Sequence, residues 1–403
     1  MAARALEASL NADRSDHSGP TLPCACGRLA RFAGRRTRTV TSVLSDLHLE
    51  RAYYVCETCS EGFCPRDRVL GIEGSHLSPG VLRMVGVVGA SVSFEEGAGL
   101  LKELAGITVP ARQVERYAER LGEEAASFER EGTGDEGREV PGTLYLGMDG
   151  TGLPMRKEEL VGRAGKQADG TSKTREAKLC VVWSAEARDD EGHPKRDEGS
   201  VTYTAAIESV ATKDTATELA PFAQRVEREA ARRGFDRAKR QVVMGDGAHW
   251  IWNLCAELFP SAIQIVDRYH AKEHLSDVGK AIFGATSDLA KAWTRQRWEE
   301  LDRGEIDPIL AALGAHAATH EEARKCVGYI DTNRNRMDYP RFQKLGLSIG
   351  SGVVEAGCKT TACVRLKRAG MHWTVRGANA ILALRCARLS ARWEDFWEWR
   401  ASA

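Results

Sequence analysis

Hydrophobic and polar positions alternate between residues 39 and 55 (TVTSVLSDLHLERAYYV), a period of two that suits the strands of a small ribbon. Residues 76–128 change to a helical pattern. Ser78-Pro79 opens a first helix, with proline where a missing N–H costs nothing, and Ser93 caps FEEGAGLLKEL. Ala105-Gly106 breaks that helix, and Val109-Pro110 opens ARQVERYAERLGEEAASF. Helix, short glycine-containing turn and helix form the helix-turn-helix pattern, which any helical hairpin shares. The stretch 129–142 (EREGTGDEGREVPG) has no period and reads as a linker.

Beyond the linker the β pattern returns. A short run at 144–148 ends in Asp149-Gly150, a strong strand follows at 179–187, and a polar tip leads to another at 201–209, which reads as a hairpin. A helix is expected over 214–233, then a short strand ending at Asp246, an amphipathic helix, a strand ending at Asp267 and the start of another helix. The order β-β-β-α-β-α-β, with acidic residues closing the first and fourth strands, is the ribonuclease-H-like arrangement. Residues from about 271 to 345 then read as an all-α insertion. Ser351 can cap a helix over 352–368, placing Glu355 in its first turns on the side of Lys359 and Ala362, and Thr374 caps TVRGANAILALRCARLSARW.

Composition excludes several classes. With 403 residues, 42% of them hydrophobic, the chain is too apolar for wholesale disorder and long enough for two or three domains. It lacks a run of ~18–20 apolar residues for a membrane span, and MAARALEASLNADRSDHSGP lacks the apolar stretch of a secretory signal. The expected organisation is a disordered N-terminus (1–20), a cysteine-rich zinc-ribbon-like module (21–70), a helix-turn-helix domain (71–128), the linker, and an α/β catalytic domain (143–403). Fifty-seven Lys/Arg cancel fifty-seven Asp/Glu, but residues 331–403 carry thirteen against six, a net of +7. A neutral total therefore leaves room for DNA binding through local patches.

Five of eleven cysteines fall in the first 64 residues. Cys24, Cys26, Cys56 and Cys59 form two close pairs about 30 residues apart, able to set four thiolates around structural Zn²⁺. Cys24-Ala-Cys26 is tighter than the usual spacing, so Cys64 is an alternative ligand. A module this small buries little core, and a metal would supply folding energy. Arg28, Arg31, Arg35, Arg36 and Arg38 lie between the pairs with no acidic residue among them: a phosphate-binding patch, or a solvated basic loop. Arg112, Gln113 and Arg116 would line the second helix of the helix-turn-helix, where DNA is read. In the tail, Trp373 and the tryptophans at 393, 397 and 399 can stack on unpaired bases or simply pack amphipathic helices.

Asp149 and Asp246 are 97 residues apart (246 − 149), and Glu355 follows 109 residues later (355 − 246), a gap that accommodates the insertion. Strand ends of one sheet bring the two aspartates together, and the glycine after each leaves room for a metal or phosphate. Three hard oxygen ligands suit Mg²⁺ or Mn²⁺. Two such ions about 3.5–4 Å apart activate a water or a 3′-hydroxyl and stabilise the leaving oxygen of a phosphodiester.

The motifs MDGTGLP, TREAK, GDGAHWIW, VDRYHAKEHL, GSGVVEAGCK and AGMHWTVRGANAILALR, with CxC and YYVCETC before them, resemble the DDE transposases of bacterial insertion sequences, most closely the ISKra type, related to the Mutator-like group. The resemblance implies that Asp149, Asp246 and Glu355 bind two Mg²⁺ ions, and that Asp267, His270 and His274 are accessory to the site. It implies terminal inverted repeats and target DNA as partners, cleavage and joining of DNA ends, and a bacterial cytoplasmic, nucleoid-associated protein. Pairing two ends calls for a homodimer or higher oligomer on DNA. Lys359, Arg365, Lys367 and Arg368 continue the Glu355 helix as further DNA contacts. A DNA-binding regulator with a silenced active site, and a ribonuclease-H-like nuclease or resolvase that cuts without joining, are the rival readings.

Overall fold

The computed structural model describes residues 1–132, 139–165, 167, 170–210 and 218–402. The middle of the expected linker and the start of the helix expected at 214 lie outside these. The chain divides into two units, Met1–Glu124 with Trp397–Ala403, and Ala125–Phe396. No helix among the described residues is long and apolar enough to cross a membrane.

In the first unit, helix α1 (Ala2–Ala12) precedes an antiparallel sheet of β1 (Thr21–Pro23), β2 (Leu29–Thr41), β3 (Asp46–Val55) and β4 (Gly62–Phe63), in that spatial order. The expectation of a disordered 1–20 is therefore corrected. The reason is the bare edge of β3. Its outward N–H groups at His48, Glu50 and Ala52 donate to Glu7 Oε2 (2.7 Å), Asn11 Oδ1 (2.9 Å) and Asp16 Oδ2 (2.7 Å). Unpaired strand N–H groups are costly when covered, and here side chains of the leading segment supply the acceptors. Ala3 and Leu10 pack on the cluster Val40, Leu47, Leu49 and Ile72.

Short α2 (Pro65–Val69) leads to α3 (Pro79–Ser91), α4 (Phe94–Ala105) and α5 (Ala111–Glu131). Ser78 and Ser93 cap α3 and α4 by accepting from Val81 and Glu96 N–H, and Gly106 ends α4 in the left-handed conformation (φ 67°). Val81, Val85, Leu101, Val114 and Tyr117 form the core of these helices, with Trp397 packed against it. Trp397 thus fills a packing role.

In the second unit, β5 (Thr143–Pro154), β6 (Thr174–Ser184), a two-stranded ribbon of β7 (Ala187–Arg188) and β8 (Pro194–Lys195), and β9 (Thr202–Ala206) precede α6 (Pro221–Arg232). Then come β10 (Arg240–Gly245), α7 (His249–Leu258) and β11 (Ile263–Val266). The main sheet has the order β11-β10-β5-β6-β9, with β10 parallel to β5 and β11, and β6 antiparallel to β5 and β9. The later elements are helical: α8 (Arg268–Phe283), α9 (Asp288–Asp302), α10 (Ile306–Gly314), α11 (Glu321–Asn333), α12 (Tyr339–Lys344), α13 (Gly352–Cys358), α14 (Val364–Leu366) and α15 (Val375–Leu389) in this unit, then α16 (Trp393–Ser402), whose residues from Trp397 on belong to the first unit. Strand β5 does not stop at 148 but runs six residues further, paired with β6 as far as Pro154↔Thr174, so Asp149 lies within a strand. The expected linker also starts late. Residues 129–131 are helical, and Glu129 is anchored by Arg225 at 2.6 Å.

Glu229 of α6 is fully buried among Arg392, Arg232 (3.1 Å) and the Thr202 hydroxyl (2.6 Å). Burial pushes its proton affinity up, but the Arg392 guanidinium and the other donors outweigh that and hold the carboxyl below the usual range. A depressed folded pKa means stability present above the unfolded value of about 4.3 and lost as pH falls through the folded one. Glu229→Gln leaves two buried guanidinium groups short of a counter-charge, at an expected cost of about 3 kcal/mol at neutral pH. Urea titrations from pH 7 to pH 3 should show that difference shrinking; a constant gap would remove the ion pair as its source.

Candidate catalytic edge and metal centre

The parallel register ends at Met244↔Gly147; Asp149 lies two residues further along β5, and Asp246 is the first residue past the end of β10. Side chains alternate along a strand, so Tyr145, Gly147 and Asp149 share a face, opposite Trp183, Val181 and Leu179 of β6. Helix α13 lies on this face. Gly147 leaves the space that Val354 fills, since a Cβ there would stand 2.1 Å from Val354 Cγ2. Gly357 sits down on Leu179, Val181 and Tyr203, each 3.0 Å from where its Cβ would be.

Asp149 is partly buried in this layer. Burial raises its carboxyl above the ordinary range and the Asp246 charge adds to that, opposed by hydrogen bonds from the Cys358 thiol and the Gly150 N–H and by nearby His270. Asp246 is half-buried; its Oδ1 accepts from Ala248 N–H (2.9 Å), and its carbonyl accepts from the Tyr329 hydroxyl of α11 (2.9 Å). Two close carboxylates, one within β5 and one just past the end of β10, with the first resisting ionisation, are a site that a dication would stabilise.

Glu355 is exposed on α13, one helical turn before Cys358. Among the described residues, its oxygens do not close with those of Asp149 and Asp246 into a compact ligand group. Nor does it share a side with Ala362, which is buried. A π turn over Lys359–Cys363 inserts an extra residue in the ladder and rotates the next turn of the helix. The glycines after the aspartates have structural neighbours. Gly247 has φ 99°, and a Cβ there would lie 2.4 Å from the Tyr329 ring; one at Gly150 would lie 2.4 Å from Glu176 Oε1.

Asp267 caps α8, accepting from Tyr269 N–H (2.6 Å) and His270 N–H (3.2 Å) with Oδ1, and its Oδ2 accepts from Ser351. His270 is exposed beside Glu273 (3.2 Å). His274 lies 4.2 Å from the Tyr329 ring, and partial burial and His270 lower its proton affinity. Tyr329 carries no sequence motif and was not foreseeable; it borders a cavity of about 480 Å³ with Asp246, His249, His274 and Lys325.

The basic candidates separate. Lys359, Lys367 and Arg368 are exposed, with Lys367 Nζ donating to Thr151 Oγ1 (2.5 Å). Arg365 is fully buried over the Trp373 ring, 5.1 Å from its centroid, so its assignment as a DNA contact is withdrawn. Trp373 is itself buried, its Nε1 donating to Leu366 O (2.9 Å) and its N–H to Pro154 O (3.0 Å), which removes it from base stacking. In the first unit, Arg35 pairs with Asp16 (3.0 Å) and Arg38 with Asp67 (3.0 Å), both largely covered, so these two hold the module together. Their acidic partners come from outside the arginine run, which is why the sequence showed none. Arg28, Arg31 and Arg36 remain exposed, with Arg31 3.7 Å from Glu57 and Arg36 over Tyr53 at 3.5 Å. Arg112, Gln113 and Arg116 are exposed along α5.

The four cysteines Cys24, Cys26, Cys56 and Cys59 come together, with all four sulfurs within 4.8 Å of one another, and can hold a metal ion. Two turns present them: Gly27 N–H donates to Cys24 O (2.9 Å) in one, and Cys56 N–H to Glu61 O (2.8 Å) in the other. Cys24–Cys59 and Cys26–Cys56 are each 3.6 Å apart, against roughly 3.8 Å for a tetrahedron with Zn–S of about 2.3 Å. N–H groups of Cys59 and Thr58 lower the Cys56 thiol to about 6. The Glu61 N–H favours the Cys59 thiolate, but burial and the neighbouring sulfurs outweigh it and push that thiol up to about 12. Four such sulfurs ionise together only beside a cation. Cys64 stands outside the cluster, at the start of α2.

Among known proteins, a UPF0236 protein in the vanSb 3′ region of Streptococcus gallolyticus is 21% identical over 377 residues, 90% of this chain and 74% of that protein. The Drosophila P element transposase strand transfer complex covers 80% of each chain at 10% identity, with a TM-score of 0.26, too low to support an argument. The family model described as "Uncharacterised protein family (UPF0236)" matches residues 29–400, and the chain belongs to that family.

Proposed function

We propose that this protein is a DDE transposase of an insertion sequence, of or near the ISKra type, with a ribonuclease-H-like core, a zinc ribbon and a helix-turn-helix. The observation that carries the reading is the nearness of Asp149, within β5, to Asp246, just past the end of the parallel neighbour β10, beneath a helix that bears Glu355. The donors are hard oxygens, and the raised Asp149 carboxyl is the strain a divalent ion relieves, so the residues fit Mg²⁺ or Mn²⁺. Asp149, Asp246 and Glu355 would hold two such ions, which when bound activate the attacking oxygen and stabilise the leaving one. Lys359, Lys367 and Arg368, exposed on the stretch after Glu355, would hold the phosphates of the DNA end. Arg28, Arg31 and Arg36 of the ribbon and Arg112, Gln113 and Arg116 of α5 would bind the terminal inverted repeats.

The test is strand transfer. Purified protein with Mg²⁺ should join a pre-cleaved oligonucleotide carrying the element's terminal repeat to plasmid DNA. Cleavage without joining would select the nuclease reading, and binding without either would select the regulator.

A further inference from the structure

Asp267 is largely buried, and its N–H and carboxylate make five hydrogen bonds. The N–H donates to Gly245 O (2.9 Å), the residue immediately before Asp246. Oδ1 caps α8 through Tyr269 and His270. Oδ2 reaches 84 residues along the chain, accepting from the Ser351 N–H (2.6 Å) and the Ser351 hydroxyl. Ser351 is the residue before α13, and its carbonyl accepts from Val354 (2.7 Å) and Glu355 (3.1 Å) N–H. Two further bonds hold the same crossing: Arg268 N–H to Ile349 O (3.0 Å), and Ser348 N–H to the Tyr145 hydroxyl (3.1 Å) of β5.

We infer that Asp267 is a positioning residue, acting through Ser351 to lock the Glu355 helix in register with the Asp149–Asp246 edge. Its backbone is tied one residue from Asp246, and its side chain is tied four residues from Glu355. It joins the two halves of the edge without facing the reacting atoms. A charged acceptor is required, because four donors converge on two oxygens; an amide would turn an NH₂ toward two of them. Ser351 makes no side-chain cap of the seven-residue α13; its hydroxyl is given to Asp267 instead. The role assigned to Glu355 rests on the proposed function; the lock does not.

The experiment therefore has two arms. In hydrogen exchange on the full chain, Asp267→Asn and Ser351→Ala should accelerate exchange of the 354–358 amides by roughly tenfold or more, the size expected for losing a charge-assisted bond, while β5 and β6 amides stay protected. In strand transfer, both variants should need several-fold more Mg²⁺ for half-maximal rate while keeping affinity for end DNA. Ser351→Thr, which restores the hydroxyl, should recover the metal requirement. Unchanged exchange at 354–358 overturns the lock whatever the enzyme does. Altered exchange with a wild type that joins no DNA overturns the proposed function and leaves the lock standing. If Asp267→Asn loosens α13 and β5 together, the residue is a general stabiliser and the inference fails.

Discussion

Joining of a pre-cleaved end should fall by roughly 10³–10⁴-fold in each of Asp149→Ala, Asp246→Ala and Glu355→Ala, with end-DNA affinity retained. Stabilising the attacking and leaving oxygens is worth several kcal/mol, and each ~1.4 kcal/mol is a factor of ten. In the proposed ligand set the three residues work together, so the double variants should lose little beyond the singles. Asp149 carries an additional signature. Its folded carboxyl lies above its unfolded value, because burial and then Asp246 penalise the charge. A raised acid is a stability cost that appears as pH rises through the ordinary carboxylate range and persists at neutral pH. Asp149→Asn is therefore expected to abolish joining yet raise the thermal midpoint at pH 7 in metal-free buffer, the trade expected of a residue kept for chemistry. Full activity in any one alanine variant would remove that residue from the set, and a lowered midpoint in Asp149→Asn would contradict the origin assigned to its shift.

Removing metal from the cysteine cluster should have the largest effect on stability. A structural Zn²⁺ site contributes about 10–16 kcal/mol, comparable to or larger than the ~5–15 kcal/mol that separates folded from unfolded chains. Purified protein should contain one zinc per chain. A strong chelator should release it and expose the core cluster that Cys24 and Cys56 share with Ala30, Ala52 and Tyr54. Cys24→Ser and Cys56→Ser should lose zinc, whereas Cys64→Ser should retain it, since that thiol lies apart from the four sulfurs. Metal analysis without zinc would eliminate the centre; zinc lost from Cys64→Ser would mean a different ligand set.

Much of the local structure was legible in the residues themselves. Ser78 and Ser93 cap helices where the sequence shows a hydroxyl ahead of a helical run, and Gly106 ends one where only glycine adopts the left-handed turn at no cost. The alternating run at 39–55 spans β2 and β3 and breaks between them at 42–45. The two cysteine pairs gather despite the tight Cys24-Ala-Cys26 spacing, because the turn at 24–28 folds both sulfurs to one side.

What escaped the sequence depends on partners far along the chain. Arginines look alike in a sequence whether they are exposed or paired. Arg35 and Arg38 are held by Asp16 and Asp67, and Arg365 is buried against Trp373. Residues 1–20 look polar and idle until the open N–H groups of β3 give Glu7, Asn11 and Asp16 something to bind.

The sequence by itself determined periods, caps, turn glycines and the residue types able to hold zinc or magnesium, since propensity and donor chemistry belong to the residue. Only the tertiary structure decided which carboxylates come near one another, which cations are already spent on an internal partner, and that Asp267 binds Ser351 across 84 residues. Those outcomes depend on sheet register and helix packing, which are set by the whole chain's burial of apolar surface and carry no mark at any one position.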